Sequence, residues 1–247
     1  MKYIFRFLLS IIFLLIVVYF TAGFYVAYQI LKIDPTCGLH EGSLPNSWST
    51  KVDSHQYSIL SQQRIRENFN YKDYYLDEWQ DVYFQSRDYN IKLNGWLFNY
   101  FPKRPIIIVT HGISPNGKCK SESNIIAGLL IKKKFNVLTI DLRNYGQSDT
   151  VSSYDDLGLE SYNDILGAFD FLKKIGFKSN SIGLHGISLG ASTSIFAAHA
   201  EPEIKAIWSD SSLAEFKMIL KDEIARYGLT IEFGPAVSLA GKILTGI

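Results

Sequence analysis

Residues 181–200 read SIGLHGISLGASTSIFAAHA, and this run sets a strand, a tight turn and a helix directly after one another. Residues 181–187 are predicted to form an apolar strand and residues 190–200 a helix, joined by the pentad Gly186-Ile-Ser-Leu-Gly190. An abrupt strand-to-helix turn strains the backbone of its central residue, Ser188, and side chains at the two flanking positions would collide with neighbouring backbone. The run therefore predicts a serine whose oxygen is lifted above the edge of a sheet.

A serine in this context is predicted to act as a nucleophile. The N-terminus of the following helix supplies backbone N–H groups and a partial positive charge that stabilise an oxyanion, and the N–H of Leu189 is the donor there. The triplet His111-Gly112-Ile113 follows the apolar run 105–110, where a sheet of this kind places a second donor, the N–H of Ile113. The imidazole of His111 is predicted to hold this turn by hydrogen bonds to neighbouring loops rather than to transfer a proton.

Apolar runs on both sides of the pentad predict the rest of the sheet. Strands are expected at 79–85, 91–100, 105–110, 135–141, 181–187 and 204–209, and helices at 57–68, 123–134, 159–175, 190–200, 213–227 and 235–244. The first two strands alternate apolar and polar residues around a hairpin-like turn, and the later strands alternate with helices. The fold class is therefore α/β, with a mostly parallel sheet and helices on both faces.

The composition excludes some classes of partner. The 247 residues include 25 Lys and Arg against 24 Asp and Glu, so the net charge of +1 gives no field that would attract a nucleic acid. No CxxC pair or His/Cys cluster is present, so neither a metal nor a cofactor is expected. Cys37 and Cys119 are too few for a disulfide scaffold; they form either one bridge in an exported domain or two unpaired thiols.

The N-terminus predicts a membrane anchor. Residues 7–31 carry no charge, and at 1.5 Å per residue they reach roughly 37 Å, more than the roughly 30 Å of a bilayer core. Lys2 and Arg6 precede this run, whereas Lys32 and Asp34 after it cancel, so the N-terminus is expected in the cytoplasm and the domain outside, in the periplasm or extracellular space. A cleaved signal peptide is the alternative, with small residues at 21–23 as the cleavage site.

Three motifs in order resemble the α/β-hydrolases: Thr110-His-Gly112, Asp141-Leu-Arg-Asn-Tyr-Gly-Gln-Ser148 and Gly186-Ile-Ser-Leu-Gly190. Over about 79–216 the sequence resembles bacterial membrane-anchored hydrolases related to serine aminopeptidases and monoacylglycerol lipases. The resemblance implies that Ser188 attacks an ester, thioester or amide and that Ile113 and Leu189 bind the oxyanion. Asn144 departs from the family, which often has Gly there, but Asn tolerates left-handed backbone angles. The expected domains are the anchor 1–33, a linker and irregular cap 34–78, and the hydrolase domain 79–247.

No histidine of the sequence is expected to lie where it could act as the base for Ser188. In the family the partners follow the serine in the order Asp or Glu, then His, but the one later histidine, His199, lies about 16 Å along the helix from Ser188. His185 lies within the strand and points along the sheet. His40 and His55 belong to the linker.

Asp210 is a candidate for the acid, because it closes the strand 204–209; its alternative role is to cap the following helix. That strand would have apolar side chains on both faces at an exposed sheet edge, which native proteins avoid. The simplest account is that the hydrolase domain is incomplete at its C-terminal end.

Two functions remain open from the sequence. The first is a serine hydrolase acting on a small acyl substrate, whose catalytic histidine and acid lie on strands absent from this sequence, so that this chain alone is inactive. The second is a non-catalytic, membrane-anchored binding protein that keeps the fold without the triad.

Overall fold

A computed structural model describes residues 2–33, 42–48, 70–88, 90–113, 119–212 and 216–246 of the chain. The predicted helix 57–68 and most of the linker lie outside the described residues. The strands are β1 Gln80–Gln85, β2 Lys92–Phe98, β3 Ile106–Thr110, β4 Asn136–Ile140, β5 Ile182–Ile187 and β6 Ile207–Asp210. The helices are α1 Lys2–Leu31, α2 Asn124–Lys132, α3 Tyr162–Lys174, α4 Leu189–Ala200, α5 Phe216–Arg226 and α6 Gly234–Thr245.

The six strands form one sheet in the order β1-β2-β4-β3-β5-β6. Strands β4, β3, β5 and β6 run parallel to one another, whereas β1 and β2 form an antiparallel hairpin and β2 runs antiparallel to β4. The prediction of a mostly parallel sheet opened by a hairpin is confirmed. The parallel strands end together at one edge, because Thr110 lies opposite both Ile140 and Gly186, and Ile187 lies opposite Asp210.

The central strands are buried on both faces, as their unbroken apolar sequences require. Side chains of alternate β3 residues enter two different cores. Ile106 and Ile108 belong to one core together with Phe169 of α3, whereas Val109 belongs to the other together with Ala127 of α2. Helices therefore cover both faces of the sheet and hold the carboxyl ends of its strands in place.

Strand β6 forms an edge of the sheet, and no other described strand pairs with its outer side. Ile207 is 41% exposed and Trp208 67% exposed. The predicted exposure of apolar side chains on this strand is therefore confirmed.

The chain divides into two compact units. One comprises Ile33–Leu213 and contains the whole sheet; the other comprises Met1–Lys32 and Ala214–Ile247, and so joins α1 to α5 and α6. The sequence interpretation assigned the last of these segments to the hydrolase domain, and its boundaries at 1–33, 34–78 and 79–247 stay a prediction. Of the described helices, α1 is the one that is long and apolar enough to cross a membrane.

Candidate active site

Ser188 is the residue at which β5 turns into α4. Its φ of 53° and ψ of −111° lie in a region that side chains rarely occupy, and the strain is held by hydrogen bonds on both sides of the residue. Its N–H donates to the carbonyl oxygen of Asp210 at 2.8 Å, and its carbonyl oxygen accepts the N–H of Ala191 at 3.0 Å. The side chain is partly exposed at the carboxyl edge of the sheet.

The two glycines of the pentad are required by space. A Cβ at Gly186 would lie 2.1 Å from the carbonyl oxygen of Gly190, and a Cβ at Gly190 would lie 2.5 Å from the carbonyl oxygen of Thr110. The N–H of Gly190 also donates to the carbonyl oxygen of His111 at 3.1 Å. The start of α4 is therefore packed backbone to backbone against the end of β3, which brings the pentad and the His111 turn together.

His111 fixes the direction of the Ile113 amide. The N–H of Leu142 donates to Nε2 of His111 at 3.2 Å, so the ring proton is on Nδ1, which lies 2.7 Å from the carbonyl oxygen of Gly112. The carbonyl of Gly112 and the N–H of Ile113 belong to one trans peptide and point in opposite directions. Holding the carbonyl toward the imidazole therefore turns the N–H of Ile113 outward.

His111 cannot serve as the base in this arrangement. Its ring is fully buried, both nitrogens are engaged, and burial lowers its pKa against the opposing charge of Asp141. A neutral, doubly hydrogen-bonded imidazole holds a turn but has no free nitrogen for a substrate proton. A holding role for His111 accounts for both hydrogen bonds of its ring, and it stays a prediction.

Glu122 is a site residue that the sequence analysis missed. Its Oε2 accepts the N–H of Gly112 at 2.6 Å, and its carboxylate is buried in the 3-10 turn Lys120–Ser123. The peptide between His111 and Gly112 is thus held on one side by Glu122 and on the other by Gly190. No sequence pattern connects Glu122 to this turn, because the segment between them carries no recognisable motif.

Buried ion pairs support the loop after β4. Lys120 Nζ lies 2.5 Å from Asp141 Oδ2, and the Arg143 guanidinium lies 2.7 Å from Asp164 Oδ1 and 2.9 Å from Asp88 Oδ1. Asn144 adopts a φ of 72°, as its left-handed tolerance predicts. These side chains fix the loop rather than point a free charge at Ser188.

The described histidines do not reach Ser188. His199 is exposed in the last turn of α4, about 16 Å along the helix axis from the serine. His185 stacks on Trp208 with a ring separation of 6.1 Å, and burial lowers its pKa although Asp210 opposes the effect. His40 and His55 lie outside the described residues.

We call the turn formed by residues 186–190 the elbow. The backbone of Asp210 contacts the elbow through the hydrogen bond from Ser188, whereas its side chain is exposed and accepts a hydrogen bond from the Ser211 hydroxyl at 2.9 Å. It precedes Phe216, the first described residue of α5, by six positions. These contacts support neither role of Asp210, so the catalytic acid and the helix cap both stay predictions.

Cys119 is disulfide-bonded, so it is not a free thiol. Cys37, the other cysteine of the sequence, lies outside the described residues.

Two backbone amides, one in the turn after β3 and one at the start of α4, have no hydrogen-bond acceptor among the described residues. In the described part of the chain, neither the N–H of Leu189 nor that of Ile113 donates to a protein acceptor. Both belong to segments whose backbone is fixed by other hydrogen bonds. N–H donors without a protein acceptor, close to a serine at a strained turn, can stabilise a negative oxygen.

Comparison with known proteins identifies the fold family of the chain. A model of the α/β hydrolase fold matches residues 105–229, about half of the sequence, and the chain belongs to this family. The structure is similar to an esterase from Pyrococcus furiosus, with 25% identity, a TM-score of 0.56 and coverage of 74% of this chain and 67% of the esterase. It is also similar to the α/β hydrolase GrgF from a Penicillium species, with 22% identity, a TM-score of 0.52 and coverage of 62% of this chain and 53% of GrgF. No curated protein sequence matched the chain.

Proposed function

We propose that this chain is the nucleophile-bearing part of a serine hydrolase that cleaves an ester, thioester or amide. The observation that carries the proposal is Ser188 itself, held at a φ of 53° at the start of α4 beside the unengaged amides of Ile113 and Leu189. The similar protein from Pyrococcus furiosus is named an esterase, which supports ester hydrolysis as the reaction type.

In the proposed reaction, Ser188 Oγ attacks the acyl carbon while its proton passes to a histidine. The carbonyl oxygen becomes an oxyanion between the two amides, whose removal one at a time costs about 100-fold to 1,000-fold in comparable enzymes. The tetrahedral intermediate expels the alcohol, thiol or amine with the proton from the histidine, leaving an acyl-enzyme. Water then attacks this acyl group by the same route and releases the acid and Ser188.

We infer that the catalytic histidine and acid lie on strands that extend the sheet beyond β6 and are not part of this sequence. Two observations support this inference. No described histidine reaches Ser188. Strand β6 also has no described strand along its outer edge, and its Ile207 and Trp208 side chains are exposed on the two faces of the sheet. A further strand there would cover these side chains and end at the same edge as Ser188.

The proposed location is a membrane surface, with α1 as a single-pass anchor, the N-terminus in the cytoplasm and the sheet unit outside. The disulfide bond of Cys119 supports this side, because disulfides persist in oxidising compartments.

A fluorophosphonate probe tests the mechanism. Two proteins are treated with the probe: the 247-residue chain and the product of the complete genomic reading frame. Each is tested as wild type and as Ser188→Ala. Ser153→Ala, at an exposed serine, is the matched control. We expect labelling of the complete product, its loss in Ser188→Ala alone, and no labelling of the 247-residue chain. Labelling that survives Ser188→Ala contradicts the nucleophile, and labelling of the 247-residue chain at Ser188 contradicts the missing base.

The second candidate function is a non-catalytic binding protein anchored in the membrane. It is favoured by a site in which the elbow and its amides are intact while no described histidine reaches the serine. A complete reading frame that stops after Ile247, together with stable expression and no probe labelling, would establish this alternative.

A further inference from the structure

Helix α1 consists of two parts that its uniform apolar sequence does not distinguish. Residues 2–18 are exposed on every side, whereas from Tyr19 onward one face is covered, and Gly23, Val26, Ala27 and Leu31 are buried. Among the described residues, none covers the first part, whereas the second part is built into a small core.

The cover over the second part comes first from α6. A Cβ at Gly23 would lie 2.4 Å from the Cβ of Ala236, so the two backbones approach as closely as they can. Ala27 and Ala240, one turn further along each helix, are also buried. Gly241 lies beside Leu31, so α1 and α6 run in the same direction. Small residues four positions apart on both helices permit this close packing.

The rest of the cover comes from α5 and the 3-10 turn Ile231–Phe233; together with α6 we call these elements the collar. Leu220 and Ile224 of α5 join the core around Val26. The Tyr19 hydroxyl donates to the carbonyl oxygen of Glu232 at 2.8 Å, and its ring lies 5.1 Å from that of Phe233. The 3-10 turn is thus level with Tyr19, at the end of the bare part of α1.

The charges of α5 decide which part of α1 crosses the membrane. Lys221, Asp222 and Arg226 are exposed on a helix that packs level with Val26, and charged side chains are expensive in hydrocarbon. Residues near Val26 therefore lie outside the bilayer core. Residues 2–20 remain for the span. The uncharged residues 7–20 cover about 21 Å, and the preceding turn extends the helix to about 28 Å, because the long side chains of Lys2 and Arg6 reach back to the cytoplasmic interface.

We propose that the collar is a membrane-surface element: it packs on α1 immediately outside the hydrocarbon and rests Ile231 and Phe233 on the interfacial region of the lipid bilayer. The inference rests on the proposed anchoring of α1 and makes it more specific. The exposed side chains of Phe20 and Phe24, near the same level of α1, fit the boundary between headgroups and acyl chains, where apolar rings of surface helices are buried. Cleavage near Gly23 would remove the surface on which the collar packs, so α1 is a retained anchor rather than a signal peptide.

Lipid contact is tested with a photoreactive benzoylphenylalanine introduced singly at three positions of the full chain, in phosphatidylethanolamine and phosphatidylglycerol vesicles containing a clickable phospholipid. Leu14 reports on the span, Phe233 on the collar, and the exposed Lys221 on α5 serves as the matched control. We expect lipid adducts at Leu14 and Phe233, and on the order of tenfold fewer at Lys221. Adducts at Leu14 without adducts at Phe233 overturn the collar and leave the anchor standing. An absence of adducts at Leu14, or loss of the first 23 residues from the mature protein, overturns the anchor itself.

The packing of the collar is tested separately with two glycine variants of the full chain in vesicles. Gly23→Ala forces a collision with Ala236, whereas Gly241→Ala places its Cβ 3.7 Å from Leu31, an ordinary contact. Both changes gain the same helix propensity, so they differ in packing alone. We expect trypsin to cut at Lys221 and Arg226 on the order of tenfold faster in Gly23→Ala, with the wild-type rate in Gly241→Ala. Equal rates in the two variants contradict the packing.

Discussion

At the scale of single residues, the candidate oxyanion site depends on groups that would never touch a substrate. His111 turns the Gly112 carbonyl inward and so turns the Ile113 N–H outward, while Glu122 and Gly190 hold the preceding peptide from its two sides. Each of these bonds is made in the interior, where an unpaired polar group is costly. The direction of one amide is therefore set by three neighbours.

Glu122→Ala tests this dependence. The variant leaves the N–H of Gly112 buried without an acceptor, so we expect a loss of about 1–3 kcal/mol in the free energy of unfolding. Glu122→Gln keeps an acceptor oxygen at the same place and should recover most of the loss. Urea unfolding followed by circular dichroism measures both. In the complete enzyme, Glu122→Ala should also lower the rate of fluorophosphonate labelling by a larger factor than it lowers the affinity for a non-covalent substrate analogue. Equal stability of the Ala and Gln variants would contradict the role of Glu122 as the acceptor of the Gly112 N–H.

Among the site residues, the sequence predicted those that belong to short motifs and missed those that meet through folding. Ser188, Leu189 and Ile113 follow strands directly, so local pattern places them at the sheet edge. Glu122 reaches Gly112 through a 3-10 turn that has no sequence signature. Asp210 was a candidate acid with helix capping as its alternative, and neither role is tested by its bond to Ser188, which comes from its carbonyl oxygen and which any residue could supply.

At the scale of elements, the junction of β5 and α4 is tightly constrained by backbone packing. The strand brings Gly186 against Gly190, and the helix brings Gly190 against the end of β3, with less than 3 Å available for any added Cβ. Periodicity predicted this strand and this helix to within one residue of the observed ends. It could not divide α1 into its bare and covered parts, because the covering residues lie two hundred positions away in the chain.

Gly186→Ala is expected to destabilise the sheet unit by about 3 kcal/mol or more, because its Cβ would lie 2.1 Å from the Gly190 carbonyl oxygen and backbone must move. Gly234→Ala is the matched control, since its nearest neighbour would be a flexible Ile231 methyl group at 3.7 Å. Thermal unfolding of both variants measures the difference. A Gly186→Ala protein that unfolds at the wild-type temperature would show that the elbow is looser than described.

At the scale of the whole molecule, one buried carboxyl makes stability depend on pH. Burial, with the nearby charge of Asp156, raises the pKa of Asp155 from 3.8 to about 7, and the Tyr145 hydroxyl lies 2.5 Å from its Oδ2. The folded protein therefore holds a proton that the unfolded chain releases near pH 4. This contribution to stability is complete below pH 4 and is lost as pH rises through 7.

Asp155→Asn should remove this pH dependence. Between pH 4 and pH 8, we expect the free energy of unfolding of the wild type to fall by a few kcal/mol more than that of Asp155→Asn. This amount corresponds to the rise in the pKa of Asp155. Because all other titrating groups are shared, the difference isolates Asp155. Urea titrations at several pH values measure it, and a difference that stays constant with pH would contradict the raised pKa.

The open edge of the sheet predicts how the 247-residue chain behaves in solution. Ile207 and Trp208 lie exposed on β6, whose outer backbone groups face no described strand, and such an edge pairs readily with another copy. We expect the detergent-solubilised chain to self-associate in a concentration-dependent way, and Trp208→Lys to reduce that association, because a charge on an edge strand opposes strand pairing. Val151→Lys, an equally exposed apolar position away from the sheet edge, is the matched control and should associate like the wild type. Light scattering after size-exclusion chromatography measures the masses. The product of the complete reading frame should remain monomeric at the same concentrations, because an added strand would occupy the edge. If that product instead associates and Trp208→Lys prevents the association, β6 is an outer strand in the complete protein as well.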